Sequence, residues 1–428
     1  MDEAMLMTLF QACLNGNESE AVSQSAEMIS IGQPAALWAI MMHVASWHEQ
    51  TEFDTSHSTI MTYATHRLVE DLGFNDEILV EGSATTPVKI HDDLRIPLQR
   101  SLIERLALYL AAVEHWTRER GPKYNIDTQL ESLASSIHNY EQGVREQSHM
   151  GTLKAALRLG ERKEPVQLRR MTASLAAEEP DNLGHAFIMP FSLLSELPDS
   201  EFKLPFQAAL WHLTEYLIRK VPRKAPNGFR IDPRMDKMAS PTDLSKYKDL
   251  FANAVVNYGV LGHNGIFAHR IAEAAKRGYL HNESITWLLD RLKKNIGGKL
   301  LTKEQLAVEE LVSKKEGIDW EHLPSGIDLP DSGKVRLWLV KNAVDYWDAM
   351  TDLKTSVFER KIPSISKKDW SIIRATQYAV PTVNGAPQAS HVTIFTQATW
   401  SLVDHGLIGN KLAALQVHRM LRQYLKGR

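Results

Sequence analysis

The chain has 428 residues, of which 43% are hydrophobic and 24% charged, so it is long enough for one large or two medium-sized domains with a substantial core. Its 49 basic and 52 acidic residues give a formal net charge of -3, which argues against a nucleic-acid-coating protein or a polybasic membrane anchor. A single cysteine, Cys13, excludes a disulfide framework and a cysteine-based zinc or iron–sulfur site within one chain. The acidic start and the lack of a long apolar run lead us to expect a cytoplasmic protein with neither nucleic-acid nor membrane partners.

In chain order, the first distinctive elements that the sequence indicates are two short strands. Ile78–Val80 and Val88–Ile90 flank a turn of small and polar residues, a pattern that predicts one small β-hairpin. Beyond them, apolar residues recur at three- and four-residue steps, as in amphipathic helices, in Ser101–Trp116, Phe206–Ile218, Ile285–Leu292, Gln305–Val312, Val335–Met350 and Leu412–Leu425. We therefore predict a mainly α fold, a helical bundle with long irregular loops.

Two stretches interrupt the helical pattern. Val221–Asp243 carries four prolines and little periodicity, and Ile362–Ser390 is similarly irregular. The first stretch lies near the middle of the chain. We therefore predict a proline-rich linker at residues 221–244 between two helical halves, residues 1–220 and residues 245–428.

A short block with the pattern small–His–x–x–Ile–Met/Phe occurs four times. The blocks are SHSTIM at Ser56–Met61, GHAFIM at Gly184–Met189, GHNGIF at Gly262–Phe267 and SHVTIF at Ser390–Phe395. Their histidines, His57, His185, His263 and His391, are 128, 78 and 128 residues apart, so a shift of 206 residues carries the first pair onto the second. The equal spacings and the shared flanking residues predict that the two halves arose by internal duplication.

The residues around these histidines predict their chemistry. Serine and glycine are residues that open helices, so each imidazole is expected in a first helical turn. There the positive end of the helix dipole disfavours imidazolium, and the neutral form is the one that binds metals. Four neutral imidazoles suit Fe(II), Zn(II), Cu(II) or Ni(II) better than Mg(II) or Ca(II). The alternative, in which the histidines only cap helices or form hydrogen bonds in the core, stays open at this point.

Three further residues are candidates for the site or its surroundings. Lys341 lies in the apolar segment VRLWLVKNAVDYW. A lysine in such a segment usually extends to solvent, whereas a buried one would have a lowered pKa and be available for carbamate formation or substrate contact. His66 and His269 follow their blocks at spacings that do not suit joint ligation, so we expect them beside the site or at the surface.

The four blocks together resemble the questin oxidase-like family of cofactor-poor oxygenases. The resemblance is carried by SHSTIMTYATHRL, GHAFIMPFSLL, LGHNGIFAHRIAEA and SHVTIFTQATWSL. It implies a mononuclear non-haem iron(II) held by several histidines, with O₂ as cosubstrate and an aromatic or quinone-like small molecule as substrate. Carried over to this sequence, it makes the four block histidines the metal ligands. Lys341 becomes the candidate fifth ligand and the candidate catalytic residue.

Two other functions remain as alternatives to a metal-dependent oxygenase. The same ligands could hold zinc in a hydrolase whose nucleophile is a bound water. Zinc has no redox role, so the identity of the metal discriminates this function from the first. The other alternative is a duplicated α-helical interaction protein whose histidines are structural, for which we expect no bound metal.

Overall fold

The computed structural model describes residues 3–30, 32, 34–49, 55–72, 92–129, 131–162, 165–226, 242–297, 374, 377–378, 388–410, 412–414, 416–417 and 420. Within them lie fourteen α-helices, numbered in chain order: α1 (Glu3–Leu14), α2 (Glu18–Ser30), α3 (Pro34–Ala45), α4 (His57–Asp71), α5 (Asp92–Ala112), α6 (Leu133–Glu146), α7 (His149–Gly160), α8 (Val166–Ala177), α9 (His185–Ser195), α10 (Lys203–Lys220), α11 (Lys248–Val256), α12 (His263–Lys276), α13 (Asn282–Asn295) and α14 (Gln388–Asp404). In this described part there is no β-strand, only an isolated antiparallel bridge between His48 and His115. The mainly α prediction is confirmed.

Three of the predicted amphipathic helices fall in described residues, as α5, α10 and α13. Helix α5 ends at Ala112, before the predicted end, because the next residues pair with the segment after α3. Glu49 donates its backbone N–H to Glu114, and Trp116 donates to Trp47 over 2.8 Å. These bonds need an extended backbone, which is incompatible with continuing the helix.

Several predictions lie outside the described residues. They are the hairpin, the helices at Gln305–Val312 and Val335–Met350, and the linker between residues 227 and 241. The segment Leu412–Leu425 is described only in part. The internal duplication and the two halves stay predictions. Of the helices that are described, none is both long and apolar enough to cross a membrane.

The chain divides into two compact units. The first comprises Met1–Tyr63, Leu106–Asp243 and Arg270–Asn295. Its core is built around α10, which packs against α3, α6, α7, α8 and α9. Almost every side chain from Pro205 to Leu217 is buried, and burial on all sides of a helix is typical of the centre of a bundle.

The second unit comprises Ala64–Arg105, Leu244–His269 and Ile296–Arg428. A buried ion cluster ties its elements together. The guanidinium of Arg374 lies 2.6 Å from Asp71, at the end of α4, and 2.6 Å from Asp404, at the end of α14. Tyr378 donates a hydrogen bond to Asp71 and accepts one from Arg374. Pairing of this kind is what makes buried charges tolerable in a core.

Candidate metal centre

Each of the four block histidines lies in the first turn of a helix. His57, His185 and His263 are the first residues of α4, α9 and α12, and His391 is the fourth residue of α14. This placement confirms the prediction from the blocks. The expectation that Ser390 opens its helix is wrong, because α14 begins two residues before it.

The four imidazoles lie close together. His57 Nε2 is 3.2 Å from His185 Nε2, and the centroids of these two rings are 4.9 Å apart. The rings of His263 and His391 are also 4.9 Å apart. One nitrogen from each of the four lies within 4.8 Å of the other three, and none of the four residues is more than 8% exposed.

These distances are close to those between ligands of one ion. Metal–imidazole bonds of about 2.0–2.1 Å place neighbouring nitrogens about 2.9–3.4 Å apart and opposite ones about 4.2 Å apart. The 3.2 Å between His57 and His185 falls in the first range, and the widest spacing of 4.8 Å requires only a small contraction. Two nitrogens that both carry protons could not face each other in this way, so at least one offers a lone pair. The cluster is compatible with a metal site.

The same unusual turn precedes two of the histidines. It is the 3₁₀ turn Asn182–Gly184 before His185 and Val260–Gly262 before His263. The middle residues, Leu183 (φ 60°, ψ 21°) and Leu261 (φ 50°, ψ 24°), adopt the left-handed conformation, which costs a residue with a Cβ about 1–2 kcal/mol. Leu183 is 46% exposed and Leu261 40% exposed, so neither side chain is fully buried in exchange for this cost. Strain of this kind concentrates at functional sites.

The turn before α12 also orients its histidine. His263 Nδ1 forms a hydrogen bond with the carbonyl of Val260, so Nδ1 carries the proton and Nε2 the lone pair. Metal-ligating histidines commonly use a backbone carbonyl in this way. Burial lowers the pKa of His263, although the bond to Val260 opposes the shift. The ring is therefore held in the neutral form that binds metals.

Packing of one aromatic ring explains the two glycines of the third block. A Cβ at Gly262 would lie 2.7 Å from Phe395 Cδ2, and one at Gly265 would lie 2.6 Å from Phe395 Cε2. Phe395 is fully buried and is four residues beyond His391 on α14. Because both glycines lack a side chain, the ring packs directly on the start of α12. This contact brings His391 alongside His263.

Hydrogen bonds to α10 hold the segments that lead into the other two histidines. Thr55, two residues before His57, pairs through Oγ1 with Tyr216 Oη of α10 over 3.2 Å. Asn182, three residues before His185, donates from Nδ2 to the same Thr55 oxygen over 3.4 Å. The two helix starts are thus fixed to one central helix.

A buried polar cluster that was not predicted from the sequence links α4, α9 and α12, the three helices that begin with a histidine of the four-histidine cluster. Tyr63 of α4 donates a hydrogen bond to Glu273 of α12. Arg270 of α12 donates from Nε to Ser192 Oγ of α9 over 3.0 Å, and its guanidinium lies 4.0 Å from the centroid of the Tyr63 ring. The sequence does contain a signal for this cluster. In HNGIFAHRIAEA, Arg270 and Glu273 lie among small and apolar residues, which indicates buried charges that need partners.

The other candidates do not join the cluster within the described residues. His66 is half-buried, and its Nε2 lies 3.6 Å from Glu70. His269 is buried, and its ring stacks on His405 with centroids 5.8 Å apart. Lys341 lies outside the described residues, so its proposed role stays a prediction.

Comparisons with protein-family models, curated proteins and solved structures find no match to this chain. The chemistry of the site must therefore be argued from its residues alone. The donors found among the described residues are four imidazoles, without a carboxylate or thiolate. Such a neutral set suits borderline metals and leaves the charge of a divalent ion uncompensated. A metal held there would attract anionic ligands in a site largely shielded from water.

Proposed function

We propose that this chain is a metalloenzyme whose four-histidine cluster binds a divalent transition metal, with iron(II) as the first candidate. The supporting observation is that four buried imidazole nitrogens lie within 4.8 Å of one another. Four buried histidines that served only to cap helices would have no reason to turn their nitrogens toward one point. His57, His185, His263 and His391 would hold the ion, and Lys341 is the proposed fifth ligand.

The proposed reaction is oxidation of an aromatic or quinone-like small molecule by O₂. Iron(II) held by the cluster would supply the redox chemistry that activates O₂, and the electrons that reduce O₂ would come from the aromatic substrate as it is oxidised. The neutral donor set supports this choice, because a site that retains positive charge favours a phenolate or enolate form of the substrate. The resemblance of the four blocks to questin oxidase-like proteins supports the same choice.

Elemental analysis of the untagged protein, purified without chelators, tests the metal site. We expect about one equivalent of metal per chain in the wild type and its loss in the double variant His263→Ala/His391→Ala. His138→Ala is the matched control, because His138 is an exposed histidine outside the cluster. A metal-free wild type that takes up no ferrous iron anaerobically would overturn the proposal and leave the helical interaction protein.

Metal identity and oxygen consumption then test the reaction. Iron, together with O₂ uptake in the presence of a hydroxylated aromatic compound such as 1,8-dihydroxyanthraquinone, supports the oxygenase. Zinc instead of iron favours the hydrolase alternative, because zinc has no redox role. Iron without O₂ uptake across a panel of phenols and quinones would leave the metal site standing and overturn the proposed reaction.

A further inference from the structure

A cavity of about 730 Å³ lies in the first unit, within the size range of small-molecule sites. Its walls are formed by α1, the end of α3 and the segment after α5. None of the four cluster histidines lines it. A ligand in this cavity would therefore bind independently of the proposed metal site.

Four aromatic side chains line this cavity, and hydrogen bonds orient two of them. Phe10, Trp47, Trp116 and Tyr124 all line it. Trp47 donates from Nε1 to Tyr124 Oη over 2.8 Å, and the Tyr124 hydroxyl in turn contacts His43 Nε2 at 2.7 Å. The Trp47 and Tyr124 rings lie 29° from parallel. The flat surfaces are thus preformed, which favours a planar ligand.

The lining carries a single full charge. The two histidines in it, His43 and His115, are neutral at pH 7 because burial lowers their pKa values to about 3 and about 4. Among the described lining residues Arg118 is the one charged side chain, and it is exposed at the rim. It forms no salt bridge within the described part of the chain. The neighbouring Arg120, by contrast, is paired with Glu49.

We propose that this cavity binds a planar aromatic monoanion, with its ring against the aromatic walls and its carboxylate or phenolate on Arg118. A guanidinium recognises such an oxyanion through charge-assisted hydrogen bonds. A cationic ligand would be repelled, and a dianion would have only one of its charges compensated. The apolar area of Phe10, Trp47 and Trp116 supplies the remaining affinity.

Isothermal titration calorimetry with 2-naphthoate tests the site. We expect 2-naphthoate to bind the wild-type protein and to bind Arg118→Gln about tenfold more weakly, since a charge-assisted hydrogen bond is lost. The neutral 2-naphthamide should bind both proteins equally, and the non-planar cyclohexanecarboxylate should bind more weakly than 2-naphthoate. Arg162→Gln, which removes another exposed arginine, is the matched control and should behave as wild type.

Two further variants locate the probe. Ala111→Phe adds a ring at a lining position and should abolish binding of 2-naphthoate. The double variant His263→Ala/His391→Ala should bind it as the wild type does. Any of three results would overturn the proposal: no binding of 2-naphthoate to the wild type, equal affinity in wild type and Arg118→Gln, or loss of binding in the histidine double variant. Because Arg118 is exposed, we expect Arg118→Gln to fold normally. Its affinity for 2-naphthoate therefore tests the proposal even if Ala111→Phe fails to fold.

Discussion

His212, on the central helix α10, is a residue whose protonation state affects the stability of the fold. It is buried, and neither ring nitrogen has a hydrogen-bond partner among the described residues. Burial lowers its pKa from 6.5 to about 4, so the folded protein holds the ring neutral. Above about pH 6.5 the ring is neutral in both the folded and the unfolded protein, and the full free energy of unfolding is present. As the pH falls from 6.5 toward 4, the unfolded protein binds a proton that the folded protein does not, so the free energy of unfolding decreases.

Replacing His212 with phenylalanine should reduce the sensitivity of the protein to acid. Between pH 7 and pH 5 we expect the wild type to lose about 2 kcal/mol of unfolding free energy through His212 alone. The total loss over this pH range should therefore be about 2 kcal/mol smaller in His212→Phe than in the wild type. Urea unfolding at the two pH values measures the difference. The exposed-histidine variant His138→Ala should retain the wild-type dependence on pH. Equal losses in wild type and His212→Phe would contradict the assignment.

At the scale of elements, the contact between α12 and α14 depends on a glycine. Gly262 has a φ of 89°, and a Cβ there would meet the buried ring of Phe395 at 2.7 Å. Gly406 has a similar φ of 68°, but its Cβ would meet nothing within 4 Å. The two positions therefore separate the cost of the backbone conformation from the cost of the steric clash.

The variants Gly262→Ala and Gly406→Ala make this comparison. We expect Gly406→Ala to lose about 1 kcal/mol of unfolding free energy, from the backbone conformation alone. Gly262→Ala should lose about 1–3 kcal/mol more, from overpacking against Phe395, and should retain less metal because His391 is displaced from His263. Chemical unfolding and metal analysis measure the two effects. Equal destabilisation of the two variants would show that Phe395 does not set the spacing of α12 and α14.

Some features of the candidate metal centre were predictable from the sequence, and others were not. The four blocks predicted the first-turn placement of the candidate ligand histidines, because a small residue and the following helical periodicity are local signals. The left-handed Leu183 and Leu261 were not predictable, since leucine disfavours that conformation and no local sequence signal marks it. The pairing of Tyr63 with Glu273, 210 residues apart, leaves no periodic signal either.

The helical class of the fold was predictable from composition and periodicity, whereas the assembly of the helices was not. Nothing in the pattern of α10 distinguished it from other amphipathic helices, yet it is buried on all sides against five neighbours. The polar residues that it buries, such as His212 and Gln207, obscure an otherwise apolar helix. Whether a helix is buried on one side or on all sides depends on tertiary packing, which cannot be read from a single sequence.

The depth of the four cluster histidines has a consequence for the kinetics of metal exchange. None of them is more than 8% exposed, so EDTA, which must replace most of the ligands of an ion, could not surround a bound ion while the helices remain packed. We therefore expect the rate of metal release to EDTA to become independent of EDTA concentration and to increase with sub-denaturing urea, because opening of the protein limits the rate. Stopped-flow or absorbance measurements of the released metal test this. A release rate proportional to EDTA concentration would indicate an ion that solvent can reach directly. The metal content of the folded protein would then depend on the metal concentration in solution and not on which metal was present when the chain folded.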